Sequence, residues 1–232
     1  HPVHLVLLAF VVGALAGAQR LAHLEWMRGD VVLRKYLRLA HLPVRKVFSG
    51  ALSSLSDQGV AALELLVAQV GAGLHPHPAS VTLDLDNTAI IDHGQRPGSL
   101  FGYCGKGRRR RRHYPFVASN AEERTVFFAR YRDGSRQRCA EVISFLEAMV
   151  QRARDWYGDT CTLFIRADSG FATRAVLDWL DAHGLGYVFA HRLSPGIKLM
   201  LMTADFETVD EEGDIESTIL PGPVVGQPDT RR

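Results

Sequence analysis

The stretch Val81-Thr-Leu-Asp-Leu-Asp-Asn-Thr-Ala-Ile-Ile91 limits the folds open to this chain more than any other. Apolar and polar residues alternate through it as in a half-buried strand, and the polar positions include Asp84 and Asp86. Side chains alternate across a strand, so these two carboxylates leave the backbone on the same face. Two like charges held this close cost free energy unless a cation or a proton sits between them. A strand that tolerates them is a candidate site, and the surrounding elements have to be arranged around it.

Residues 5 to 75 read as helices. Leu21, Leu24 and Met27, then Val31, Val32, Leu33, Tyr36 and Leu37, recur at helix-like spacing, with Gly29-Asp30 as a break. Leu63, Leu66, Val67 and Val70 give a further amphipathic helix, ending at Gly71 or Gly73. His75-Pro-His-Pro78 cannot continue a helix and reads as an extended linker. After the strand at 81–91 a Gly- and Arg-rich loop is expected through residue 113. Short strands follow at Tyr114–Ser119 and Arg124–Tyr131, the second ending at the Asp133-Gly134 turn. A helix is expected from about 136 to 157, with Ala140, Ile143, Leu146, Met149, Val150 and Ala153 as its apolar stripe. Cys161–Asp168 is a strand ending in a carboxylate, Ala172–His183 a helix closed by Gly184, and Tyr187–Leu193 a fifth strand.

Three strands joined by short loops form an antiparallel meander, and strand-helix-strand units add parallel strands through right-handed crossovers. The expected class is therefore α/β: a ribonuclease-H-like mixed sheet with flanking helices, preceded by a small helical N-terminal region. In that order the fourth strand pairs beside the first, which brings Asp86 and Asp168 to one edge. The expected divisions are 1–75, a helical region; 81–200, the mixed-sheet core; and 201–232, a disordered or truncated acidic and Pro/Gly-rich tail.

At 232 residues and 47% hydrophobic, the chain can bury one full domain with an appendage, or two small ones. A net charge of +2 does not by itself indicate nucleic acid, but five of the 27 Lys and Arg lie together at Arg108–Arg112. Cys104, Cys139 and Cys161 are an odd number at wide spacings, which fits a reducing cytosol and not a disulfide framework or a zinc site. The apolar run Leu5–Ala18 is 14 residues long, short of the roughly 20 a membrane span needs, and reads as a buried helix. No charged n-region precedes it, and the lack of an initiating Met points to a chain begun inside a longer reading frame.

Two carboxylates at a sheet edge can hold Mg²⁺, a hard cation that takes oxygen ligands and keeps several waters. Two such ions roughly 3.5–4 Å apart clamp the attacking and leaving oxygens of a phosphodiester displacement. Asp168 has a competing role as N-cap of the helix that follows it. The Arg108–Arg112 run, with Lys106 beside it, is either a solvated loop or a phosphate-backbone contact, since Arg matches phosphate in bidentate fashion. Tyr103, His113 and Tyr114 flank the run and could stack on unpaired bases. The histidines at 1, 4, 75, 77, 93 and 191 lack metal-ligand spacing, and Cys104 lacks a paired base.

The ordered set Leu83-Asp-Leu-Asp-Asn-Thr88, His93-Gly-Gln95, Gly102-Tyr103, His113-Tyr-Pro115, Arg132-Asp-Gly134, Arg166-Ala-Asp-Ser-Gly-Phe171 and Tyr187-Val-Phe-Ala190 resembles bacterial insertion-sequence transposases of the group-one DDE transposase domain family. The likeness covers about residues 81 to 195. It implies a ribonuclease-H-like core, Mg²⁺ or Mn²⁺, and DNA cleavage and strand transfer during transposition of an insertion sequence. It also implies partners: the terminal inverted repeats, target DNA, and a second copy in the working complex. A cytoplasmic, nucleoid-associated location and no membrane contact follow. By this resemblance Asp86, two residues before Thr88, is the first catalytic and metal-binding acid and Asp168 the second, with Asp84 as second choice for the first metal ligand.

One part of the pattern is missing. The family's third acid is a Glu within Tyr-x-x-Arg-x-x-x-Glu, and no such pattern follows Tyr187. The expectation is a truncated or frameshifted copy, inactive alone. Two rival readings stand beside it. Asp84-Leu-Asp-Asn-Thr88 also fits the nucleophile motif of haloacid-dehalogenase-like phosphatases, with Asp84 accepting the phosphoryl group and Asp86 as general acid/base. The other rival is a non-catalytic DNA-binding remnant.

Overall fold

Two hydrophobic periods, 2 and 3.6, build the larger part of the molecule, and they appear in the computed structural model where alternation and stripes demand them. The structure describes residues 2–74, 78–105, 107–190, 195–209 and 216–218. The chain divides into two units, His1–Val70 and Gly71–Arg232.

The first unit is helical: α1 (Val3–Leu15), a 3₁₀ segment (Leu21–Gly29), α2 (Val31–Tyr36), α3 (Arg45–Ser53) and most of α4 (Asp57–Leu74). Val6, Ala9, Leu24, Leu37, Leu42 and Phe48 form its core. The break expected at Gly29-Asp30 is a helix start, because the Asp30 carboxylate accepts the Leu33 N–H at 2.8 Å and caps α2. Helix α1 is buried along one stripe only, and Leu15 is 83% exposed. An all-apolar helix has no polar face to turn outward, so a small core leaves part of it in water. Among the described residues, no helix is long and apolar enough to cross a membrane.

In the second unit the strands are β1 (Ser80–Asn87), β2 (Ile90–Ile91), β3 (Leu100–Tyr103), β4 (Arg109–His113), β5 (Phe116–Asn120) and β6 (Thr125–Arg130). Helix α5 (Cys139–Tyr157), β7 (Thr162–Ala167), α6 (Arg174–Ala182), β8 (Gly186–Phe189) and α7 (Pro195–Met202) follow. A five-stranded sheet has the order β6-β5-β1-β7-β8. β1, β5 and β6 run antiparallel in turn, while β7 lies parallel to β1 and β8 parallel to β7. This is the ribonuclease-H-like mixed sheet, with β1 at its centre.

Alternation fixes which way the central strand faces. Val81, Leu83 and Leu85 of β1 and Leu163, Ile165 and Ala167 of β7 are buried, so the residues between them lie on the opposite face. α5 covers the buried side with Val142, Phe145, Leu146, Met149 and Ala153. Phe145 packs against the rings of Phe116 and Phe128, at 5.3 and 5.1 Å between centroids. The C-terminal end of the helix is tied to β5 where Asn120 donates to the Tyr157 hydroxyl at 2.9 Å.

One expectation is corrected. The segment 92–113 is not all loop: β3 and β4 within it, with β2 before it, form a second sheet in the order β2-β4-β3, with most of the Arg run in its central strand. Within residues 201–232, β9 (Glu207–Thr208) pairs antiparallel with β10 (Glu216–Ser217). Residues 191–193 of the expected fifth strand, and 210–215 and 219–232 of the tail, lie outside the described residues.

Candidate active site and nucleic-acid interface

Strand register decides which carboxylates meet. β1 and β7 pair in parallel from Ser80↔Thr162 to Leu85↔Ala167. One residue further along both strands stand Asp86 and Asp168, on the face opposite the apolar core. Neighbouring strands lie roughly 4.7–4.9 Å apart, so the two positions stand side by side at the strand ends. Both are exposed.

The local backbone holds each acid. Asp86 accepts its neighbour's N–H, from Asn87 at 2.7 Å. Asp168 accepts the Gly170 N–H at 2.8 Å and so forms a tight turn. A Cβ on Gly170 would lie 3.0 Å from that same carboxylate oxygen, so glycine suits the position. The competing role for Asp168 is removed, because α6 starts six residues later and its N-cap is Thr173.

Sequence reasoning missed the residue that joins the two strand ends. Gln137 accepts from the Asn87 side-chain amide at 2.6 Å and donates to the Gly170 carbonyl at 3.0 Å. One side chain thereby links the end of β1 to the Asp168 turn. A lone Gln before a helix carries no sequence signal for this role.

Asp84 lies on the same face but is committed elsewhere. Arg166, its register partner on β7, reaches both carboxylate oxygens, at 2.6 and 2.7 Å. A bidentate guanidinium occupies the oxygens a metal or a phosphoryl group would need. Asp84 is thus a strand-to-strand clasp, and the phosphatase reading fails on it. That reading also fails on topology, since β1 has an antiparallel neighbour, β5, where the phosphatase fold needs further parallel strands.

Asp92 carries no signal of its own in the sequence, yet its side chain is fully enclosed. It accepts N–H bonds from Gly94 at 3.0 Å and Arg96 at 2.9 Å. These backbone hydrogen bonds, that to Arg96 first, lower its pKa from 3.8 to about 2. The His93-Gly-Gln95 motif is therefore the tip of an aspartate-anchored turn, and His93 itself is exposed.

The Arg run separates into two kinds of residue. Arg112 is buried, donates to the Tyr103 carbonyl and lies 3.7 Å from the centroid of the Tyr114 ring. It is a structural residue, so its assignment to DNA contact is corrected. Arg111 is half-buried, donates to the Ser99 carbonyl at 3.0 Å and lies 5.3 Å from the Phe101 centroid. Arg108, Arg109 and Arg110 are exposed. Lys106 lies outside the described residues, as do the histidines at 1, 75, 77 and 191. His113 is buried against Tyr131 and so is not available for base stacking, while Tyr114 is half-buried with Arg112 over its ring.

A cleft of about 980 Å³ joins the small sheet to the Asp168 turn. Phe101, Tyr103 and Arg109 line it together with Asp168, Ser169, Gly170, Arg136 and Arg138. Among the described residues no group of three or more His, Cys, Asp or Glu is placed to hold a metal ion.

The described geometry can be set beside known proteins. The family model for the transposase DDE domain group 1 matches residues 1–214. No curated protein matches the chain. Among solved structures, the catalytic domain of Mos1 mariner transposase matches at 12% identity and a TM-score of 0.35, over 61% of this chain and 65% of that one. The Mos1 mariner paired end complex with Mn matches at 12% identity and a TM-score of 0.36, over 84% and 62%. The piggyBac transposase synaptic complex with hairpin DNA matches at 10% identity and a TM-score of 0.47, over 88% and 46%. The chain spans less than two thirds of the length of each of these three. The family match rests on the sequence and extends over both units. The chain belongs to the transposase DDE domain group 1 family.

Proposed function

We propose that this chain carries the cleavage and strand-transfer chemistry of a transposase, with Asp86 and Asp168 as the working carboxylates. The observation that carries the reading is their placement: adjacent parallel strand ends, one face, one residue past the last register pair. Family membership supports DNA as the substrate.

The donor set fits a divalent cation such as Mg²⁺ or Mn²⁺. Two exposed carboxylates offer hard oxygens, and Mg²⁺ is commonly bound through one or two carboxylates while keeping its waters. When bound, such an ion polarises the phosphoryl oxygens and lowers the pKa of a bound water. Asp86 and Asp168 would hold it, Gln137 fixes the separation of their two segments, and Arg166 keeps Asp84 out of the site. The exposed Arg108, Arg109 and Arg110 contact phosphates and set the strand's path toward Asp168. The N-terminal region, 1–75, adds a DNA-end contact in this proposal. Its stretch from Arg20 to Lys46 holds seven Lys and Arg against Glu25 and Asp30.

The test separates metal binding, cleavage and DNA affinity. Mn²⁺ titration followed by electron paramagnetic resonance is expected to show affinity reduced about 10-fold or more in Asp86→Asn and in Asp168→Asn, with Asp84→Asn close to the parent. Mg²⁺-dependent nicking of DNA carrying the element's ends is expected to disappear in the first two variants. Nicking that persists in both overturns the site. DNA binding with no nicking by the parent protein supports the non-catalytic remnant instead.

A further inference from the structure

We propose that the β3–β4 ribbon is a binding platform for unpaired DNA, with bases stacking on Phe101 and Tyr103. This rests on the transposase reading above and adds the form of DNA that the cleft accepts. The register pairs Phe101 with Arg111 and Tyr103 with Arg109, and directly opposed residues share a face of a sheet. One face of the ribbon thus presents two aromatic rings, each with an arginine across from it. The rings are in water: Phe101 is 65% exposed and Tyr103 59%. Large aromatics on a solvent-facing ribbon are costly to leave uncovered, and their arginine neighbours argue against an apolar protein partner.

Spacing selects the single strand. Two residues along a strand are roughly 6.6 Å apart, about twice the 3.4 Å step of a stacked duplex strand. Successive bases can each meet a ring only if they are unstacked from one another, which a paired duplex forbids. Base stacking on aromatic rings beside arginines is how proteins hold single strands without reading their sequence. The arginines alone would serve duplex equally well, so the aromatics are the discriminating feature. The cleft gives the platform a direction, because Phe101, Tyr103 and Arg109 share it with Asp168, Ser169 and Gly170. An unpaired strand laid on the ribbon leads to Asp168.

The experiment uses the whole chain, a fluorescein-labelled oligothymidine of about ten nucleotides and a mixed-sequence duplex of similar length. The single strand is expected to bind more tightly. Phe101→Ala and Tyr103→Ala are each expected to weaken it by about 5- to 150-fold, with duplex affinity changed less than about 2-fold. Phe101→Tyr and Tyr103→Phe keep a ring and should keep the affinity, which separates stacking from damage to the ribbon. Quenching of 2-aminopurine placed in a single strand, on addition of the unaltered protein, reports stacking without any substitution. Equal affinity for both forms, equal losses on both, or an unquenched probe overturns the platform. If terminal-repeat DNA is still nicked in an Asp86-dependent way while that discrimination is absent, the platform alone is wrong. If neither form of DNA binds, both proposals fall.

Discussion

The two sheets of the second unit are made stable in opposite ways. In the five-stranded sheet, β1 and β7 alternate strictly, and the inward residues meet the apolar stripe of α5. Each fully buried side chain there is worth roughly 1.5–3 kcal/mol. In the three-stranded sheet the enclosed side chains of the central strand are Arg112 and His113. That sheet is held by a cation over the Tyr114 ring, by a guanidinium on a carbonyl, and by close backbone contact at Gly134. A Cβ on Gly134 would lie 2.1 Å from the Arg112 carbonyl oxygen, so the turn after β6 accepts only glycine where the small sheet docks. The large sheet positions carboxylates on a rigid edge; the small one carries charge beside that edge on a less deeply anchored ribbon.

The largest effect is expected in the large sheet. Phe145→Ala removes a fully buried ring from between Phe116 and Phe128 and should cost about 3–5 kcal/mol. Urea unfolding measures the loss, and hydrogen exchange should rise across β1, β5 and β7 together. Exchange that rose only in β6 would show that α5 does not hold the central strands.

The next effect belongs to the small sheet. Arg112→Ala removes the ring contact and leaves the Tyr103 carbonyl without that donor, for an expected loss of about 1–3 kcal/mol. Faster exchange should be confined to the amides of β2, β3 and β4. Arg110→Ala, two residues away and exposed, should change stability by less than about 0.5 kcal/mol. A comparable loss in both variants would mean that the five arginines form one charged surface and that the division between them is wrong.

How legible each sheet is follows from the same contrast. β1, β7, α5 and α6 can be read in the sequence because burial on one side imposes period 2 or 3.6 on apolar residues. The parallel pairing of β1 with β7 follows from the order of elements, and with it the neighbouring positions of Asp86 and Asp168. β4 cannot be read this way. Its strand character comes from pairing on both edges and from rings on neighbouring strands, none of which leaves an apolar trace in five consecutive arginines. Asp84 and Asp86 look equivalent in sequence, and only the register partner Arg166, 82 positions along the chain, separates them. Gln137 and Asp92 were invisible for a related reason. Each acts through backbone groups, which every sequence supplies alike.

The last effect is a dependence on pH, and it belongs to the turn that leads from β2 toward β3. Asp92 is ordinarily half-protonated near pH 3.8 but is held at about 2 in the folded protein by the Arg96 and Gly94 N–H groups. A lowered folded pKa means that the unfolded chain binds the proton more readily. The carboxylate's contribution to stability is therefore complete above pH 3.8 and shrinks as the pH falls toward 2. Asp92→Asn keeps one acceptor oxygen but no titrating group, so its unfolding midpoint should fall less steeply than the parent's across that interval. Exchange at the Gly94 and Arg96 amides should likewise accelerate on acidification in the parent and stay level in the variant. Identical slopes for the two proteins would mean that the turn is held by its backbone alone, and the small sheet would then have no acid-sensitive anchor at Asp92.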